Sequence, residues 1–430
     1  PGSATDSPAS FTLLRSFARG RWLWQLGIHS GCGTTGGAAS VQPAYYDAVR
    51  VTAGPPMWGI RNFFPSAWHR YADRQIGDFG IGSYYLTPRR TAEFAPVLLN
   101  TAAAPVEVAV LWSQATLRRD GSRQLWRAAL GCGHMLRRAF VEFDYLPEES
   151  LAERLAGYKV LLLPNAQSLA EPTCQAVREW VRGGGRLIAF GAPGRFDELG
   201  RPRAACPLAD VFGADLARMR VPAPLRPQKL YTGHPEGAFT HPAPSDWQYE
   251  THLAAALKPA GAKAISWYAG GEEDVAMTEH AFEKGWALWC GYPVGFCYQA
   301  AAPYEFAYGL SHNRTLSYNV EQKRYEEWIA SLLDGLGVVR TVRVDAGRFL
   351  RAQLRDDGDW THTTVDSPRY QEYHLEDDRP ARTIAAVARR REGLDNLYVC
   401  LLHTEGNYFW QRGYFRSTLA GGQVEVSVAA

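Results

Sequence analysis

Three short apolar runs frame the chain: EVAVLW at 107–112, YKVLLLPN at 158–165 and RLIAFG at 186–191. Each has the length of a strand and lacks polar alternation, the pattern of a strand buried on both faces. Residues 122–138 and 171–182, which lie between them, have helical spacing. Strands alternating with helices of this length predict βαβ crossovers and a parallel sheet covered on both sides. The glycines at 183–185 end the second helix and let the chain turn directly into the next strand. A further strand is predicted over 140–144. The helix after it holds Pro147, Glu148 and Glu149 in its first turn, where acids suit the dipole.

The flanks read differently. Residues 11–17 have helical spacing, WLWQLGI at 22–28 is a strand candidate, and a glycine-rich loop (31–37) leads to an aromatic segment and a helix near 68–79. Residues 91–105 read as a linker and 220–244, rich in proline, as a surface excursion. β character returns at 264–267 and 275–293, and 298–318 is aromatic and irregular. Trp328, Ile329, Leu332, Leu333 and Leu336 recur at three- and four-residue steps, which predicts an amphipathic helix over 325–336 closed by Gly337. Strand-like runs at 340–345, 349–355, 383–389, 397–403 and 423–428 predict a small antiparallel β domain. The fold class is therefore α/β with a flavodoxin-like parallel-sheet middle, in four segments: 1–95, 105–295, a connector at 296–340, and a β-rich 341–430. The first residue is Pro1 and the final strand has almost nothing after it, so both ends read as cuts through a longer polypeptide.

The composition is that of a folded protein, at 46% hydrophobic and 21% charged. A net charge of +2 gives no electrostatic case for nucleic acid or an anionic membrane as partner. No apolar run reaches the ~18–20 residues of a transmembrane helix. Seven scattered cysteines supply neither a disulfide framework nor a CxxC metal signature. That usage fits a reducing compartment such as the cytoplasm, without fixing the compartment. Fourteen Trp and 21 Tyr suit sugar faces, cores and subunit contacts alike.

Candidate chemistry is sparse. An α/β domain with amidase activity carries a nucleophilic Cys or Ser in a tight turn after a central strand, served by a His. Here the strand at 186–190 runs into Gly191, Ala192, Pro193 and Gly194. Cys132 and Cys174 fall inside helices, and His280 reads as structural. The Gly191–Gly194 turn could cradle an anion, a weak signal by itself. His374, Glu376, Asp377 and Asp378 lie in an acidic stretch that reads as a solvated loop. No metal or cofactor is expected. Asn313-Arg-Thr315 fits a glycosylation acceptor if the protein is secreted.

Residues 157–169 (GYKVLLLPNAQSL), WVRGGGRLI at 180–188 and EKGWALWCGYPV at 283–294 resemble the middle domain of glycoside hydrolase family 42 β-galactosidases. The resemblance covers roughly 105–293. It implies a trimerisation domain with a fold similar to class I glutamine amidotransferases, and a homotrimer. It also implies that 1–95 is the end of a (β/α)8 barrel, whose active site forms at the carboxyl ends of the strands. Trp24, Gln25 and His29 then become candidate substrate-binding residues at the rim; Trp22 and Trp24 serve equally well as core residues. Family 42 enzymes cleave β-galactosides with two glutamates acting as acid/base and nucleophile. The first Glu here is Glu93, at the very end of that remnant where the linker at 91–105 has begun, so no catalytic residue is assigned within the chain. The expectation is a non-catalytic scaffold of a β-galactosidase-like enzyme; the alternative is a carbohydrate-binding or amidotransferase-like protein without glycosidase activity.

Overall fold

The computed structural model describes residues 8–18, 24–28, 62–65, 101–103, 106–119, 124–220, 229–231, 238–240, 254–268, 274–301, 320–346, 350–355, 384–390, 397–403, 414–419 and 424–428. The chain divides into two compact units, one of Pro1–Pro105, Tyr304–Tyr318 and Arg340–Ala430, the other of Val106–Pro303 and Asn319–Val339. The expected helix near 68–79 and the acidic stretch with His374, Glu376, Asp377 and Asp378 lie outside the described residues.

The first unit opens with helix α1 (Pro8–Ala18), in which Ser16 Oγ donates to the carbonyl of Thr12 at 2.7 Å. Strand β1 (Trp24–Ile28) pairs in parallel with β2 (Asn62–Pro65), and β3 (Ala102–Ala103) follows.

The second unit holds β4 (Val108–Trp112), α2 (Gln114–Arg119), α3 (Gln124–Arg138), β5 (Phe143–Pro147), α4 (Leu151–Arg154), β6 (Val160–Pro164), α5 (Glu171–Arg182) and β7 (Arg186–Phe190). It continues through α6 (Ala209–Phe212), β8 (Ala214–Arg220), β9 (Lys229–Tyr231), β10 (Ala238–Thr240), β11 (Ala254–Pro259), β12 (Lys263–Trp267), β13 (Val275–Phe282) and β14 (Gly285–Cys290). Helices α7 (Val294–Ala301) and α8 (Val320–Gly335) complete it.

The remaining strands belong to the first unit. They are β15 (Val342–Ala346), β16 (Leu350–Arg355), β17 (Ile384–Arg390), β18 (Leu397–His403), β19 (Tyr414–Leu419) and β20 (Val424–Val428). They pair antiparallel as β15 with β20, β16 with β19, and β17 with both β18 and β3. Arg389 on β17 is buried and donates to the Thr101 hydroxyl and carbonyl.

The second unit is built on a nine-stranded sheet in the order β5-β4-β6-β7-β14-β13-β11-β8, with β12 also pairing β13. Strands β5 to β14 in that order are mutually parallel, whereas β13, β11, β8 and β12 join antiparallel. The sheet is therefore mixed, not purely parallel. The hairpin turn at Glu283 and Lys284 returns β14 against β13, and β14 then slots beside β7.

Local chemistry explains the layers. β6 is buried along its whole length, as its unbroken apolar run requires. Helix α5 carries Pro172 in its first turn, where a missing N–H costs nothing. It buries Thr173, Cys174, Val177 and Val181, one stripe at helical spacing. Leu161, Leu163, Leu187, Ala189 and Trp289 pack with that stripe in one cluster. Each buried Val or Leu there contributes about 1.5–3 kcal/mol. On the other face Phe190 meets the ring of Trp328 on α8, at 6.2 Å between centroids. Helix α7 lies against α3 because Gly295 has no Cβ: one placed there would meet Ala128 O at 2.2 Å and Cys132 Sγ at 2.5 Å.

Several boundaries differ from expectation. The strand expected over 140–144 begins at Phe143. Helix α3 closes by a left-handed residue, Phe140 at φ 56°, with Val141 N–H bonded to Leu136 O at 2.9 Å, and that closure uses the residues assigned to the strand. The helix after Pro147 is a 3-10 turn, the single turn α4, and a second 3-10 turn. Residues 294–301, part of them expected to be irregular, form α7. Among the described residues no helix is long and apolar enough to cross a membrane.

Candidate functional site

Open α/β sheets place their sites outside the carboxyl ends of the strands, where the strand order reverses. The register fixes that row here. Trp112 pairs with Pro147, Pro164 with Phe190, and Phe190 with Cys290. The next residues on β5, β4, β6, β7 and β14 are therefore Glu148, Ser113, Asn165, Gly191 and Gly291. The chain passes from β4 to β5 on one side and then to β6 on the other, so Ser113 and Asn165 flank the reversal.

Ser113 caps α2: its Oγ accepts the N–H of Thr116 at 3.1 Å and lies 2.9 Å from Thr116 Oγ1. Thr116 Oγ1 in turn donates to Ser168 O and accepts from Ser168 N–H, both at 2.9 Å. The hydroxyls thus clamp the β4 and β6 loops together. Glu148 is largely buried, and burial pushes its carboxyl above the usual range. A hydrogen bond to Ser113 opposes this, Glu149 adds to it, and the Ala115 backbone and Arg118 oppose it. Asn165 is wholly buried in the left-handed region at φ 54°, with the Ala192 N–H 3.4 Å from its Oδ1.

Gly191 follows β7 at φ 71°, the left-handed conformation a tight elbow after a strand requires. Its carbonyl accepts the indole N–H of Trp289 at 2.8 Å. The elbow thus carries no hydroxyl or thiol, and the neighbouring indole is spent on its backbone. The thiols of the second unit lie elsewhere and are unactivated. Burial pushes Cys174, Cys290 and Cys297 up to about 12, and raises Cys132 and Cys206 as well. A nucleophilic cysteine needs the opposite shift. His280 Nδ1 lies 3.0 Å from Val211 O, and its ring fills the space above Gly213, where a Cβ would come within 2.6 Å of it. Among the described residues no group of three or more His, Cys, Asp or Glu is placed to hold a metal ion.

Over this edge lies a loop, residues 194–203, that the sequence did not single out. Phe196 N–H donates to Gln167 O at 2.8 Å, and Leu169 N–H to Phe196 O at 3.2 Å. The Arg119 guanidinium stacks 3.6 Å from the Phe196 ring centroid. At the tip Asp197 Oδ1 accepts the N–H groups of Leu199 and Arg201, at 2.9 and 2.8 Å, and Gly200 sits at φ 82°. The signal that could have found this turn is Asp followed three residues on by Gly.

Of the sequence-derived sugar-site residues, Trp24 and Gln25 lie on β1, opposite Asn62 and Phe63 of β2. His29 lies outside the described residues.

Comparison with known proteins bears on the fold. Residues 135–301 match the family model described as the Beta-galactosidase trimerisation domain. No curated protein sequence matches the chain. Among solved structures it is similar to a catalytic mutant of Gan42B, a GH42 beta-galactosidase from G. stearothermophilus, with a TM-score of 0.55 at 12% identity, covering 92% of this chain and 52% of that one. It is similar to the beta-galactosidase of Rahnella sp. R3, with a TM-score of 0.57 at 13% identity, covering 96% and 57%. It is also similar to alpha-L-fucosidase isoenzyme 2 from Paenibacillus thiaminolyticus, with a TM-score of 0.61 at 13% identity, covering 98% and 56%. The chain thus spans about half the length of these structures, and at such identities the likeness is one of fold. Residues 135–301 thus match a beta-galactosidase trimerisation domain, in a chain whose fold is similar to that of GH42 beta-galactosidases.

Proposed function

We propose that this chain is the non-catalytic scaffold and oligomerisation portion of a β-galactosidase-like glycoside hydrolase. The observation that carries the reading is the elbow after β7: Gly191 occupies the place where an α/β amidase would present its nucleophile. A flavodoxin-like, amidotransferase-like frame without that group reads as a scaffold, and the match over 135–301 gives it a task, holding three chains together. The parent enzyme cleaves β-glycosides by the retaining mechanism, with two glutamates that lie outside this chain. Helix α1 and the parallel pair β1 and β2 support reading 1–95 as the end of the barrel, with Trp24, Gln25 and His29 at its sugar-binding rim. The fold likeness extends to a fucosidase, so the sugar rests on the domain match and not on the fold.

The test is an assay of the chain against nitrophenyl β-galactoside. Hydrolysis no faster than buffer is expected. Turnover that disappears on replacing a carboxylate within residues 1–430 would place the active site here and overturn the reading.

A further inference from the structure

We infer that Glu107 and Lys159 form a brace that holds the chain's exit from the second unit beside its entry, and so limits how freely the polypeptide leaves that unit. Two of the places where the chain passes from one unit to the other lie between Pro105 and Val106 and between Val339 and Arg340. The brace joins the second unit's residues next to both, and would act in a single chain as well as in an assembled one.

Its anchors belong to the sheet. Glu107 precedes β4 and Lys159 precedes β6, and the N–H groups of Lys159 and Val160 both donate to Glu107 O, at 2.8 and 3.1 Å. Lys159 O accepts the Arg186 N–H at 3.0 Å, which ties the same residue to the start of β7. The exit comes from α8. That helix closes through Gly337 at φ 75°, with Val338 N–H bonded to Leu333 O at 3.0 Å.

The side chains then cross-link anchor and exit. Lys159 Nζ lies 2.6 Å from Glu107 Oε1 and donates to Gly337 O at 3.1 Å, while Glu107 Oε2 accepts the Val339 N–H at 2.8 Å. A surface ion pair by itself adds little. Here each charge also holds a backbone group of the exit through a charge-assisted bond, and the ammonium sits at a helix C-terminus, where a cation suits the dipole. The Glu107 side chain is 24% exposed and that of Lys159 50%, so water weakens the lysine's share without replacing it. Val339 is itself 53% exposed, so its position owes more to the bond from its N–H than to burial.

The spans beyond the brace are short. Residues 104–106 separate β3 from Glu107, and residues 340–341 separate Val339 from β15. Releasing Val339 would lengthen the exit span to 339–341 and undo its cross-link to the entry. The brace therefore decides whether the two connections leave the second unit together or as separate tethers.

The experiment is amide hydrogen exchange, with limited trypsin digestion followed at Arg340, on the 430-residue chain and three variants. Lys159→Met keeps the aliphatic stem and removes the charge. It is expected to speed exchange at Val339 and the cut after Arg340 by about fivefold, since both report the population of the opened exit. Glu107→Ala, which also removes the acceptor of the Val339 N–H, should do at least as much. Lys263→Met breaks a pair of similar length, with Glu279 at 2.9 Å, and should leave both readouts unchanged. Lys159→Met is the decisive variant, because Lys159 is a donor and cannot bond the Val339 N–H; faster exchange there means that the two charges act as a unit. Unchanged exchange and cleavage in Lys159→Met would refute the brace. So would a rise spread evenly over β6, α5 and residues 337–341, the mark of a fold weakened throughout, or an equal effect from Lys263→Met.

Discussion

At the scale of residues, the second unit is held by groups chosen for what they exclude. Gly285 opens β14 where a Cβ would sit 2.0 Å from Val181 O and 2.6 Å from Gly185 O, both backbone atoms that cannot move aside. We expect Gly285→Ala to cost about 3 kcal/mol in chemical denaturation, at the upper end of overpacking effects. The five thiols of the second unit are all buried. A brief pulse of iodoacetamide on the native chain at neutral pH should leave all five unmodified, and alkylation should be complete in denaturant; rapid native labelling of any one would reveal an activated nucleophile. Glu148 offers a pH test. Its folded carboxyl titrates above the ordinary range because burial disfavours the charge, so the folded state holds the proton more tightly than the unfolded chain. Stability should therefore fall as pH rises from the ordinary carboxyl value through the raised one. Glu148→Gln should be more stable than wild type at neutral pH, with the gain vanishing in acid; a gain independent of pH would contradict the assignment.

At the scale of elements, the strands of the parallel half were legible and their closures less so. The runs at 158–165 and 186–191 read as strands because nothing polar interrupts them, and α5 occupies the very residues its spacing predicted. β5 was misplaced because Phe140 and Val141 are as apolar as a strand while serving to close α3, and a left-handed phenylalanine has no sequence signature. The antiparallel half was legible only as β character, since pairing partners such as Leu257 and Val275 are set by tertiary contact. At the site, the empty elbow was readable from Gly191 itself. The clamp of Ser113 and Thr116 on the Ser168 backbone was not, because each hydroxyl meets a carbonyl 55 or 52 residues away only after folding. The elbow's support makes a prediction at this scale. Trp289 joins β14 to the β7 turn through its bond to Gly191 O, so Trp289→Phe should lower stability by about 1–3 kcal/mol, mostly by leaving that carbonyl unpaired. A melt unchanged by the substitution would show the bond to be idle.

At the scale of the whole molecule, the central proposal is that the second unit serves to assemble chains. Its sheet is covered by helices on both faces, its elbow is bare, and residues 135–301 match a family model named for trimerisation. The measurement that bears on this most directly is sedimentation equilibrium of the 430-residue chain at micromolar concentration. The account predicts a single species with three times the mass of one chain. A single species with the mass of one chain, unchanged up to the highest concentration reached, would contradict it.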